Sequence, residues 1–166
     1  MKANLAIEYV VGDATQPAGA GPAIIAHVCN DVGGWGAGFV VAISKRWKTP
    51  EAEYRRWHRG DLLEAPPFVL GQVQFVRAAE NVVVANMIGQ HGTRWQGDVP
   101  PIRYDAVDAA LARVGEEALR TGASVHMPRI GCGLAGGSWD RIEPLIEKHL
   151  TSRSVAVTVY DFRPAS

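Results

Sequence analysis

Three glycine-rich segments, each directly after a short apolar run, constrain this chain more than any other feature of its sequence. The first is Gly12-Asp13-Ala14-Thr15. The second runs from Cys29 through Asn30, Asp31, Val32, Gly33, Gly34, Trp35, Gly36 and Ala37 to Gly38. The third runs from Ile130 through Gly131, Cys132, Gly133, Leu134, Ala135, Gly136 and Gly137 to Ser138. Glycine permits positive φ and lets a ligand approach the backbone with no Cβ in the way. Backbone N–H groups at such a turn, followed by a helix N-terminus, form a ready anion site. A tight turn is the competing reading for any one segment. Two such segments at the carboxyl ends of parallel strands suit a diphosphate better than a lone phosphate. Neither long segment carries the dinucleotide fingerprint, whose acidic residue lies about 20 positions on. There is also no GxxxxGKS or GxxxxGKT, which disfavours a nucleotide triphosphatase.

Residues 5–11, 23–28, 71–76, 81–88, 124–127 and 155–162 read as strands, being short, apolar and rich in β-branched residues. Helices are expected over 101–121, where Tyr104, Val107, Leu111, Val114 and Ala118 recur at three- and four-residue steps before Gly122, and over 139–150 after Ser138. Two more are expected over 39–47 and from Pro50 to residue 58, leaving 60–67 and 91–101 as loops. This alternation gives an α/β domain with a mixed sheet between helical layers. A length of 166 residues fits a single domain spanning 1–166. The 17 basic and 17 acidic residues balance, which disfavours non-specific binding to nucleic acid or anionic membrane. No apolar run approaches the roughly 18–20 residues that span a bilayer, and the start of the chain shows no signal-peptide pattern. Cys29 and Cys132 lack zinc-type spacing and read as free thiols of a cytoplasmic protein.

The order Gly12-Asp13-Ala14-Thr15, Ile25-Ala26-His27-Val28-Cys29-Asn30, the glycines from 33 to 38, Met127-Pro128-Arg129-Ile130-Gly131-Cys132-Gly133-Leu134 and the closing Val157-Thr158-Val159-Tyr160 resembles the macrodomain family along essentially the whole chain. The Met-Pro-Arg-Ile-Gly-Cys-Gly-Leu segment resembles the subclass that removes ADP-ribose from glutamate and aspartate side chains. The resemblance implies a three-layer α/β/α fold with a mixed, mostly parallel central sheet, and a monomer that binds ADP-ribose and ADP-ribosylated proteins and needs no metal or cofactor. By position it implies that Asp13 accepts the adenine amino group beside the Ala14 backbone. It places Asn30 against the distal ribose, and wraps the diphosphate with Gly34, Trp35, Gly36, Ala37, Gly38 and Phe39 on one side and Ile130, Gly131, Cys132, Gly133, Leu134 and Ala135 on the other. Phe162 falls where the family packs a side chain on adenine. On residue type alone, Asp13 also reads as a turn residue, Asn30 as an Asx-turn and Phe162 as core.

The chain departs from that subclass at two places. Gln90 and Ala135 stand where it uses a nucleophilic lysine and a proton-transferring aspartate, and no lysine occurs between Lys48 and Lys148. An amide and a methyl group can do neither task. An oriented water is the remaining route, since orientation alone can be worth roughly 7–11 kcal/mol in the best cases. Asn30, Asp31 and His91 are the candidate groups for it. Trp35 and Trp95 are expected to cover the distal ribose, while Trp47, Trp57 and Trp139 pack on helix faces and His27 sits in the core. The alternatives are an ADP-ribose reader without chemistry and a hydrolase of ADP-ribose 1″-phosphate or O-acetyl-ADP-ribose. Removal of ADP-ribose from nucleic acid is disfavoured by the neutral charge.

Overall fold

The runs Ile24-Ile25-Ala26 and Val82-Val83-Val84 put apolar side chains on both faces of any strand they form, so those strands need cover on both sides. The computed structural model, which describes residues 4–162, supplies that cover. Strands β1 (Glu8–Val11), β2 (Ala23–Asn30), β3 (Val73–Ala79), β4 (Val82–Gln90), β5 (Ser124–Met127) and β6 (Val157–Asp161) form one sheet in the order β1-β6-β5-β2-β4-β3. Every neighbouring pair is parallel except β3 with β4, the only pair whose connection is short enough for a hairpin. The mixed, mostly parallel sheet is the one expected.

Helices α1 (Phe39–Arg46) and α2 (Thr49–Arg59) cover one face, and α3 (Tyr104–Thr121) and α4 (Trp139–His149) the other. Side chains alternate along β2 to serve both layers. Ile25 and Cys29 pack with Val40, Ile43, Tyr54 and Trp57, whereas Ile24 and Ala26 pack with Val107, Leu111, Ile142 and Ile146. The predicted apolar stripe of α3 is the observed one. Val107, Leu111 and Val114 are fully buried, each worth about 1.5–3 kcal/mol relative to exposure.

Element ends move where loops find their own partners. β1 begins at Glu8 rather than at residue 5, because the Leu5 N–H leaves the ladder for the Thr151 carbonyl, 2.9 Å away. α3 begins at Tyr104 rather than at 101. Ile102 is held extended by a bridge to Gln90, and its N–H donates to the Ala135 carbonyl at 3.1 Å. β2 runs on to Asn30, with a register shift after Cys29 that aligns Asn30 with Gln90. All three glycine-rich segments therefore leave the carboxyl ends of parallel strands on one edge of the molecule.

Candidate functional site

Two adjoining cavities open at that edge. The larger, about 870 Å³, is lined by Asp13, Ala14, Thr15, Phe39, Tyr160 and Phe162, with Lys45 and Arg46 at its α1 side. The smaller, about 240 Å³, is lined by His27, Ala37, Gln90, Ile130, Gly131, Gly133, Leu134 and Ala135. Gly38, Phe39 and Pro128 line both, so the cavities meet at the N-terminus of α1. Helix dipole and free N–H groups favour an anion at that junction.

In the larger cavity, one Asp13 carboxylate oxygen accepts from the Thr15 N–H at 2.8 Å and the Thr15 hydroxyl at 2.7 Å. Its other oxygen takes no bond among the described residues, so the turn role and a ligand role coexist on one side chain. The Tyr160 hydroxyl accepts from the Ala18 N–H at 2.9 Å and meets His126 Nδ1 at 2.7 Å, fixing the β1–β2 loop above the cavity. Phe162 is 68% exposed and lines the cavity, so it is not core packing. An exposed ring face there can stack on a flat heterocycle.

The second glycine segment is shaped by Asn30. Its side-chain oxygen accepts from the Val32 N–H (3.0 Å), the Gly34 N–H (2.9 Å) and the Tyr54 hydroxyl (3.0 Å), while its amide donates to the Gly34 carbonyl (2.9 Å). The Asx-turn reading of Asn30 therefore holds in this structure, and the amide is turned toward its own loop rather than out toward a ribose. α2 braces the same loop from behind. Tyr54 also donates to the Asn30 carbonyl at 2.6 Å, and Arg55 donates to the Gly33 carbonyl at 3.1 Å. Gly33 has φ +79°, and any Cβ there would collide with the His58 ring.

This turn overturns the expectation for Trp35. The loop re-enters the core at that residue, leaving the indole 5% exposed, edge-on to His27 with ring centres 5.3 Å apart, and donating to the Ser44 hydroxyl at 2.8 Å. Trp35 is a core residue and not a cover. Trp95 is 55% exposed but lies against Gly136, on the outer side of the third segment, and lines neither cavity. Gly34, Gly36 and Cys132 also line neither. The Cys132 thiol points to the Ile130 carbonyl at 3.5 Å, and burial raises its pKa. Both cysteines are free, Cys29 buried and Cys132 half-buried.

Asp31 and His91 are brought together. His91 Nδ1 lies 2.7 Å from one Asp31 oxygen, and the Gly92 N–H donates to the other at 2.7 Å. Partial burial pushes the Asp31 pKa up, but the Gly92 and His91 hydrogen bonds outweigh it and hold the carboxyl below its usual range. A carboxylate accepting Nδ1–H leaves Nε2 of a neutral imidazole as the basic nitrogen. Like Asn30, neither residue lines a cavity; Gln90, which precedes His91, lines the smaller one and donates to the Gly92 carbonyl at 3.0 Å. Ala135 is buried in the wall of that cavity. His27 is a core histidine, as expected, bonded to the Asn86 carbonyl oxygen at 2.6 Å and pushed by burial to a pKa of about 4.

Sequence reasoning named Asp31 and His91 but missed their contact, which the β2–β4 pairing and its register shift produce. It also missed Tyr54, which reads as one more helix-face aromatic.

No protein-family model matches the chain. The solved structure of a macrodomain protein from Streptomyces coelicolor is 56% identical, superimposes with a TM-score of 0.82, and is covered over 99% of its length by 94% of this chain. This chain is a macrodomain. Among curated proteins, the chromodomain-helicase-DNA-binding protein 1-like of Danio rerio is 34% identical over 98% of this chain, which spans only 16% of that protein. An ADP-ribose 1″-phosphate phosphatase of Candida albicans is 23% identical, covering 86% of this chain and 92% of its own. The macrodomain scaffold accounts for the position of the paired cavities, at the point where β2 is flanked by β5 and β4 and the connections run to opposite layers.

Proposed function

We propose that this macrodomain binds ADP-ribose along the two joined cavities and hydrolyses it from glutamate or aspartate side chains by orienting a water. The observation that carries the reading is the continuity of the cavities. An aromatic face and a half-free carboxylate at one end fit adenosine, the α1 N-terminus in the middle fits the diphosphate, and a small backbone-lined chamber at the other end fits the distal ribose. Anion binding by backbone amides needs no basic surplus, which agrees with the zero net charge.

In this reading the reacting bond is the ester between the distal ribose anomeric carbon and a carboxylate. Water adds to that carbon, the ester C–O bond breaks, and the carboxylate leaves as its own anion. His91 Nε2 takes the proton from water, with Asp31 holding the ring and stabilising its charge. Asn30 contributes by fixing the loop. With Gln90 and Ala135 in place of the subclass lysine and aspartate, this reading uses water and no covalent lysine intermediate.

The test incubates the protein with a substrate mono-ADP-ribosylated on acidic residues. Release well above spontaneous ester loss is expected, slowed at least tenfold by Asp31→Asn with little change in ADP-ribose affinity. Absence of release at saturating enzyme refutes the hydrolase. The similarity to the Candida phosphatase favours a second reading, distinguished by phosphate release from ADP-ribose 1″-phosphate.

A further inference from the structure

Arg129 belongs to the motif Met127-Pro128-Arg129-Ile130, yet its side chain has no part in the function described above. It lines the smaller cavity, at the start of the third glycine segment. Its guanidinium forks onto Asp161, with Nε and Nη2 donating to the two carboxylate oxygens at 2.7 and 3.1 Å. On the way it lies over the Tyr9 ring at 5.1 Å and the Trp139 ring at 5.2 Å. Those rings meet edge to face, with the Trp139 indole donating to the Tyr9 hydroxyl at 3.0 Å and the hydroxyl donating to Glu143.

Two partners of this cation, Tyr9 and Asp161, lie on the strands that lead into the larger cavity. Asp161 precedes Phe162 and pairs with Val11 in the β1–β6 register, and its carbonyl accepts the Gly12 N–H at 3.0 Å. Gly12, Asp13 and Phe162 all line the larger cavity. Trp139 begins α4, which closes the third segment. An exposed ion pair contributes little to global stability. A fork packed on two adjoining aromatic rings instead fixes direction, which Lys cannot reproduce.

Resting on the reading of the cavities as an ADP-ribose site, we infer that Arg129 is a positioning residue. It sets the spacing between the adenosine cavity and the distal-ribose cavity by tying the third glycine segment to the strand ends that carry Asp13 and Phe162. A ligand spanning both cavities binds better than its fragments only when the spacing lets both ends engage at once. Loss of the anchor therefore penalises the linked ligand and spares the pieces.

The experiment measures ADP-ribose, AMP and ribose 5-phosphate binding by calorimetry to the full chain and to Arg129→Ala, Arg129→Lys and Asp161→Asn, with melting temperatures alongside. In Arg129→Ala the Kd for ADP-ribose is expected to rise at least tenfold, while AMP and ribose 5-phosphate stay within twofold of the unsubstituted chain. Arg129→Lys and Asp161→Asn follow the same pattern to a smaller degree, and they decide the matter should Arg129→Ala not fold. Equal weakening of ADP-ribose and both fragments overturns the positioning role, as does unchanged ADP-ribose affinity in all three variants. Failure of the unsubstituted chain to bind ADP-ribose overturns the functional reading itself, and the inference with it.

Discussion

Asn30→Ala distinguishes a side chain that shapes its own loop from one that touches ligand. The substitution removes four hydrogen bonds, but not all are lost to equal effect. Tyr54 keeps its stronger acceptor, the Asn30 main-chain carbonyl at 2.6 Å, which alanine retains. That leaves the Val32 and Gly34 N–H groups and the Gly34 carbonyl without partners. Val32 is 50% exposed, so water can reach its N–H, whereas Gly34 is half-buried. At about 1 kcal/mol net per bond, and more for a donor left desolvated, the loss is about 3 kcal/mol. For a chain of this length each kcal/mol moves the midpoint by about 2–4 °C, so thermal unfolding without ligand should drop by about 6–12 °C. Asn30→Asp keeps the acceptor but sets a carboxylate against the Gly34 carbonyl, and should fall between the two. If ligand-free Asn30→Ala melts within 2 °C of the unsubstituted protein yet binds ADP-ribose poorly, the side chain serves the ligand directly and the reasoning fails.

Two glycines of the wrapping segments should behave oppositely. A Cβ at Gly137 would stand 2.5 Å from the Gly131 carbonyl oxygen, so Gly137→Ala should cost about 1–3 kcal/mol in urea unfolding and weaken ADP-ribose binding. Nothing lies within 4 Å of a Cβ at Gly36, so Gly36→Ala should leave stability unchanged; a binding loss there would locate close approach of the ligand. Stability should also fall with acid between pH 6.5 and about 4. Burial lowers the pKa of His27 from 6.5 to about 4 and that of His126 likewise, so in this window the unfolded chain takes up protons that the folded one refuses. The His27 share is about 3 kcal/mol, and urea midpoints across the window should be visibly flatter in His27→Gln.

The layers of the fold are readable wherever a segment's own pattern decides its structure. The continuous runs of β2 and β4 and the stripe of α3 announce elements buried on two faces and on one. Ends are less readable, because they are set by partners distant in sequence. Ile102 would extend α3 but for its bridge to Gln90 and the Ala135 carbonyl. The wrapping segments are visible as glycine, but the direction in which each side chain leaves them is not. Trp35 turns inward because Asn30 reverses the chain five residues earlier, a matter of hydrogen-bond count and not of residue type. The neighbourhood of Asp31 and His91 follows from strand register, which no local pattern fixes.

The bracing of the second glycine segment by Tyr54, Arg55 and His58 has a consequence for kinetics. A loop whose amides are already aimed loses little conformational freedom when a ligand arrives, so association need not wait for ordering. Gly38 and Leu134 both line the smaller cavity, and a Cβ at Gly38 would lie 3.6 Å from the leucine. α2 lines neither cavity. It acts on them only through the segment that it holds in place.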